Sequence, residues 1–124
     1  MQLTDRRIGN TVVLAASGRI DHASAERFKA ALQPFLEPCR GGGDVVVLDF
    51  SAVEYISSVG LRVLMLAAKQ TKSQQGAIAV AALQPVVKEI FEISKFNLVI
   101  ACFSGVRDAL AQLSPQALAS YGAA

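Results

Sequence analysis

The chain has 124 residues, of which 52% are hydrophobic and 18% charged: enough apolar material for a packed core, and not the composition of a disordered segment. A net charge of +2 and an aromatic content of 6% argue against a nucleic-acid binder, which needs a basic stripe and stacking rings. Cys39 and Cys102 stand far apart with no metal-type spacing, the start MQLTDRRIGN has no signal-peptide core, and no apolar run reaches the ~20 residues of a membrane span. The expectation is a cytoplasmic protein with two reduced thiols and no membrane insertion, built as a single domain over 1–124 with a core to 113 and a short tail over 114–124.

In chain order, Gln2 to Arg7 and Thr11 to Ala16 read as two strands joined by a turn at Ile8-Gly9-Asn10, since Gly and Asn tolerate positive φ. Ser17-Gly18 is expected to end the second strand. Asp21 is expected to open a helix, its carboxylate accepting from first-turn amides. Ala25, Phe28, Leu32, Phe35 and Leu36 then recur at helical spacing, with Pro34 bending or shortening the helix and Pro38 and Gly41–Gly43 closing it. Asp44 to Asp49 is an unbroken apolar strand, as in a central strand covered on both faces. A helix over Ser58–Ser73 follows, then a strand over Ala77–Ala82. A helix opened by Gln84-Pro85 carries an apolar side of Val86, Val87, Ile90, Phe91 and Ile93. A strand over Leu98–Phe103 and a helix capped by Ser104 lead to the break at Ser114-Pro115, and the alanine-rich tail is either a short helix or frayed. Strands alternating with helices imply an α/β fold: a mainly parallel mixed sheet, an N-terminal edge hairpin and about four helices.

Catalytic motifs are missing. The one histidine, His22, has no Cys or Asp cluster around it, Ser58 lies outside any Gly-x-Ser-x-Gly turn, and no dinucleotide or phosphate loop is present. Asp49 and Glu54 flank the third strand with nothing to pair them as acid and base. These observations point away from an enzyme and imply no cofactor and no metal.

The Ser58–Ser73 helix is more informative. At 100° per residue, Ser58, Arg62, Met65, Lys69 and Lys72 form one stripe, and Leu61, Val63, Leu64, Ala67 and Ala68 the opposite face, with Val59 and Leu66 on the border. Scattered exposed apolar residues are ordinary. Yet an exposed Met65 with Val59 and Leu66 beside it, rimmed by Arg62 and Lys69, also fits a docking patch. A phosphate on Ser58 would sit at a helix N-terminus, where negative charge is favoured, and would add about −1.5 to −2 charges to that patch.

Three segments resemble STAS domains, specifically the bacterial anti-sigma factor antagonists: Leu48–Leu61 (LDFSAVEYISSVGL), Gly18–Ala25 (GRIDHASA) and Leu83–Ser94 (LQPVVKEIFEIS). The resemblance implies the STAS fold. It also implies a partner switch, in which an anti-sigma factor of the histidine-kinase-like ATPase fold binds the antagonist, phosphorylates it on serine and so releases it, and a PP2C-type phosphatase restores binding. The family's acceptor, two residues before Gly-Leu, corresponds to Ser58. Ser57 stands where the family usually has Asp and is a minor candidate for the phosphate. Asp21 matches the loop Asp near the acceptor. The implied contact set is Asp21, Ser57, Ser58, Val59, Arg62, Met65, Leu66 and Lys69. An alternative is a non-phosphorylated STAS adaptor, such as a subunit of an ABC-type lipid transporter.

Overall fold

The computed structural model describes residues 1–121. Strands β1 (Gln2–Ile8) and β2 (Thr11–Ile20) form the hairpin, closed by the two-residue turn Gly9-Asn10 with Gly9 at φ 60°. Positive φ at the first central residue of a two-residue hairpin loop is what favours glycine there. Then follow α1 (Ala25–Leu36), β3 (Val45–Ile56), α2 (Ser58–Ser73), β4 (Ala77–Ala81), α3 (Pro85–Ile93), a single 3₁₀ turn (Phe96–Leu98), β5 (Ala101–Phe103), α4 (Val106–Leu113) and α5 (Pro115–Ser120). The sheet order is β1-β2-β3-β4-β5. Only the edge pair β1–β2 is antiparallel.

Strand periodicity sorts the core into two layers. Val46, Leu48 and Phe50 of β3 point to one face and pack with Phe28 and Leu32 of α1, Leu64 and Ala67 of α2, and Val87 and Phe91 of α3. Val47 points to the other, joining Val13, Ala81, Leu110 of α4 and Ala117 of α5. The central strand is therefore covered on both sides, as its unbroken apolar run requires.

Several boundaries differ from the expectation. Ser17-Gly18 does not end β2; the strand runs on to Ile20 through two register irregularities, with Gly18 at φ 85°. β3 likewise runs to Ile56, because its polar half Ser51–Tyr55 pairs with that extension of β2. Helix α1 starts at Ala25, four residues after Asp21, and Pro34 lies inside it without ending it. Only the second half of the expected strand over Leu98–Phe103 forms: Ala101–Phe103 pairs with β4, while Leu98 lies in the preceding turn and is 80% exposed. On α3, Val86 and Ile93 are exposed, so its buried side is narrower than the apolar pattern suggested. Gly105 occupies the cap position of α4, while the Ser104 hydroxyl donates to the Asp108 carboxylate. The tail is a helix rather than frayed, anchored by the buried Ser114, whose hydroxyl accepts from Ala117 N–H and donates to Asn10 Oδ1 at 2.6 Å. Residues 122–124 of that tail lie outside the described residues.

Candidate functional site

β2 and β3 end side by side, with Ile20 paired to Ile56. The next residues of each strand therefore emerge together, Asp21 on one side and Ser57-Ser58 on the other. Ser57 N–H donates to Ile20 O at 2.8 Å, tying the start of α2 to the end of β2. Helix α2 also approaches this strand pair closely. A Cβ on Gly60 would lie 2.7 Å from Ile56 Cγ1 and 2.9 Å from Ile20 Cγ2, so only glycine lets the first turn sit here without displacement.

The two serines have different surroundings. Ser57 is the N-cap of α2, half-buried, with its hydroxyl accepting from Gly60 N–H at 3.2 Å. Ser58 is the first residue of the helix and is exposed. The amides of Ser58 and Val59 are first-turn donors without intrahelical acceptors, so the partial positive charge of the helix start lies beneath the Ser58 side chain.

Asp21 does not open the helix; it organises the loop that leads to it. Its carboxylate accepts from Ala23 N–H at 3.1 Å, Ser24 N–H at 3.2 Å and the Ser24 hydroxyl at 3.2 Å. Desolvation is the largest single influence on this carboxyl and works to raise its pKa. The bonds from Ser24 and Ala23 and the charge of Arg19 together outweigh it and hold the pKa below the usual carboxylate value. Arg19 lies 3.9 Å from Asp21 Oδ2 and stacks over Tyr55 at 4.4 Å. His22 is exposed at the tip of this loop.

Along α2, Ser58, Arg62 and Lys69 are exposed as the stripe requires. Met65 is not: it is half-buried and packs against the main core, because Phe96 of the 3₁₀ turn lies beside it. Ser58, Leu61, Arg62, Met65 and Phe96 line a shallow hollow of about 290 Å³. Leu66, expected at the border of the stripe, is 40% exposed and lies in the crease between α2 and α1 beside Lys29 and Gln33. Val59 is half-buried. Sequence reasoning missed Phe96 and Gly60. A glycine opening an otherwise apolar helix was a visible signal for the second; nothing in the spacing pointed to the first.

Residues 2–109 match the STAS domain family. The chain belongs to that family. This STAS domain is 40% identical over 96 residues, 77% of its own length and 80% of the relative's, to BtrV of Bordetella bronchiseptica, which carries the name of an anti-sigma factor antagonist. Solved structures share the fold. An anti-sigma factor antagonist of Mycobacterium paratuberculosis superposes with a TM-score of 0.80 at 22% identity, covering 90% of this chain and 92% of that one. The Bacillus cell fate determinant SpoIIAA in its phosphorylated form gives 0.64 at 15%, covering 89% and 97%. The relatives of this STAS domain by sequence and by fold thus include proteins named as anti-sigma factor antagonists. Among the described residues, no helix is long and apolar enough to cross a membrane.

Proposed function

We propose that this STAS domain, acting as one unit in the cytoplasm, is the antagonist of a partner switch. Its unphosphorylated form binds an anti-sigma factor that is also a serine kinase of the histidine-kinase-like ATPase fold. Phosphate on Ser58 breaks that complex, and a PP2C-type phosphatase restores it. The observation that carries this reading is the contrast between the adjacent serines: the Ser57 hydroxyl is engaged in capping, while Ser58 is exposed at the first turn of α2. The STAS homology and the existence of SpoIIAA in a phosphorylated form support it.

A phosphate at Ser58 meets the free first-turn amides and has Arg62 one turn away, so the fold bears it at little cost. The same group places about −1.5 to −2 charges at the rim of the hollow formed by Met65, Leu61 and Phe96. A partner side chain seated there, its charges arranged for Arg62 and Lys69, is then repelled. The docking face comprises Asp21, Ser57, Ser58, Val59, Arg62, Met65, Leu66 and Lys69, with Phe96 added.

Incubation with the kinase-like proteins encoded nearby and ATP, followed by phosphosite mapping, should find the phosphate on Ser58 and none in Ser58→Ala. Ser58→Asp should abolish binding to the partner while changing unfolding free energy by no more than about 0.5 kcal/mol. No transfer, together with stable co-purification with a transporter ATPase, would sink the reading in favour of the adaptor role.

A further inference from the structure

A separate cavity of about 450 Å³ opens beyond the carboxyl ends of β4 and β5, against α3. None of the residues of the Ser58 face lines it. In open α/β sheets the carboxyl ends of the strands are where ligand crevices form, and ligand pockets commonly occupy roughly 300–1,000 Å³. Leu83, Cys102 and Phe103, each half-buried, supply apolar walls over the fully buried Phe91, and Asn97 and Ser104 are polar neighbours. Ala82, just before Leu83, has φ 62°, a left-handed conformation that an alanine rarely adopts. Its N–H donates to Phe103 O at 3.0 Å, which fixes the end of β4 to β5 and turns the chain so that Leu83 reaches the cavity. Strained backbone held in this way clusters at ligand cradles.

The rim carries two charges of opposite sign. Lys88 and Glu92 lie one helical turn apart on α3, both exposed, both lining the cavity. Neither belongs to an ion pair within 4.0 Å among the described residues. A purely anionic ligand would meet Glu92, and a purely cationic one Lys88. A ligand bearing both an acceptor and a donor satisfies the two together. We propose that this cavity binds a small amphoteric molecule with an apolar body, of class free apolar amino acid: carboxylate on Lys88, ammonium on Glu92, side chain among Leu83, Cys102 and Phe103. The site is independent of the partner-switch reading. Burial pushes the Cys102 thiol above its ordinary pKa, so it stays protonated at neutral pH, serving as apolar wall and reacting slowly.

The test uses the whole chain with L-phenylalanine and L-leucine, against 3-phenylpropionate and phenethylamine, which keep one half of the head each. Saturable amide shifts at Leu83 and Phe103 are expected for either amino acid, together with slower alkylation of Cys102 by iodoacetamide; the buried Cys39 is the internal control. The half-headed compounds, and L-phenylalanine with Lys88→Gln or Glu92→Gln, should bind about tenfold more weakly. Both substitutions are at exposed positions, and unchanged melting confirms the fold. The proposal is overturned if neither amino acid gives saturable shifts, if all three phenyl compounds bind alike, or if both variants bind L-phenylalanine as the parent does.

Discussion

Where α1 and α2 finish, the connections are stitched together. Gln74 Nε2 donates to Leu36 O at 2.8 Å and to Cys39 O at 2.7 Å, Gly41 N–H donates to Gln74 O at 3.0 Å, and Arg7 grips Asp44 with two bonds of 2.8 and 3.1 Å. Where the same helices begin, the ties to β2 are the bond from Ser57 N–H to Ile20 O at the start of α2 and the bond from the Ser24 hydroxyl to Arg19 O at the start of α1, and the surface residues Ser58, Arg62 and His22 make no side-chain hydrogen bond or ion pair among the described residues. One end holds the two helices on the sheet; the other presents side chains to solvent. The phosphate proposed for Ser58 would fall at the second, where the added charge disturbs few existing bonds.

Two glycines break this comparison most directly. A Cβ on Gly76, at the stitched end, would lie 2.3 Å from Cys39 O and 2.6 Å from Cys39 C, both backbone atoms that cannot step aside. Gly76→Ala should therefore cost about 3 kcal/mol in urea unfolding, the upper range for overpacking. Gly60→Ala, at the open end, meets the γ carbons of the buried Ile56 and Ile20 at 2.7 and 2.9 Å and Ile20 O at 3.1 Å, longer approaches than those at Gly76, and should cost about 1–2 kcal/mol. An equal or reversed order would remove the distinction between a fixed end and an adaptable one.

A second pair sharpens it. Met65→Glu should cost about 1–2 kcal/mol, because the side chain is half-buried against Phe96 and the core and the carboxylate would lose solvation. Leu66→Glu, on an exposed neighbour, should stay within about 0.5 kcal/mol. If Met65→Glu unfolds no more easily than Leu66→Glu, the 3₁₀ turn does not cover Met65.

The case of Met65 shows what the sequence could and could not supply. Helix α2 was legible because burial on a helix follows a fixed angular repeat, and the Val45–Asp49 half of β3 because its unbroken apolar run matches a strand buried on both faces. The extensions of β2 through Gly18 to Ile20 and of β3 through Ser51 to Ile56 were not, because these polar halves are strands only by virtue of pairing with each other. The LVIACF run failed in the opposite direction: its β-propensity lost to the turn that places Phe96 in the core and leaves Leu98 in solvent. Phe96 in the hollow beside Ser58 is a consequence of that turn, and a helical wheel drawn for α2 alone cannot contain it.

The smallest expected effects concern acid. Asp44, at the stitched end, has its pKa lowered first by the hydrogen bond from Arg7, with burial opposing and the Arg7 charge adding to the lowering. Asp21, at the open end, is lowered by its own loop against a larger single opposing influence from desolvation. In both, the folded pKa lies below the unfolded value of about 3.9, so the stabilisation is fully present above that pH and is lost as pH falls through the folded pKa. Urea-unfolding free energies between about pH 5 and pH 2 should therefore fall with acid for the parent chain. Arg7→Gln should flatten that slope by removing the share of Asp44. Asp21→Asn should flatten it separately and lower neutral-pH stability slightly, because the amide oxygen can still accept from Ala23 and Ser24 but the charge that those bonds favour is gone. If Asp21→Asn leaves the acid slope intact, the loop does not hold the Asp21 carboxyl below its ordinary pKa, and the bonds from Ala23 and Ser24 do not favour the charged form as described above.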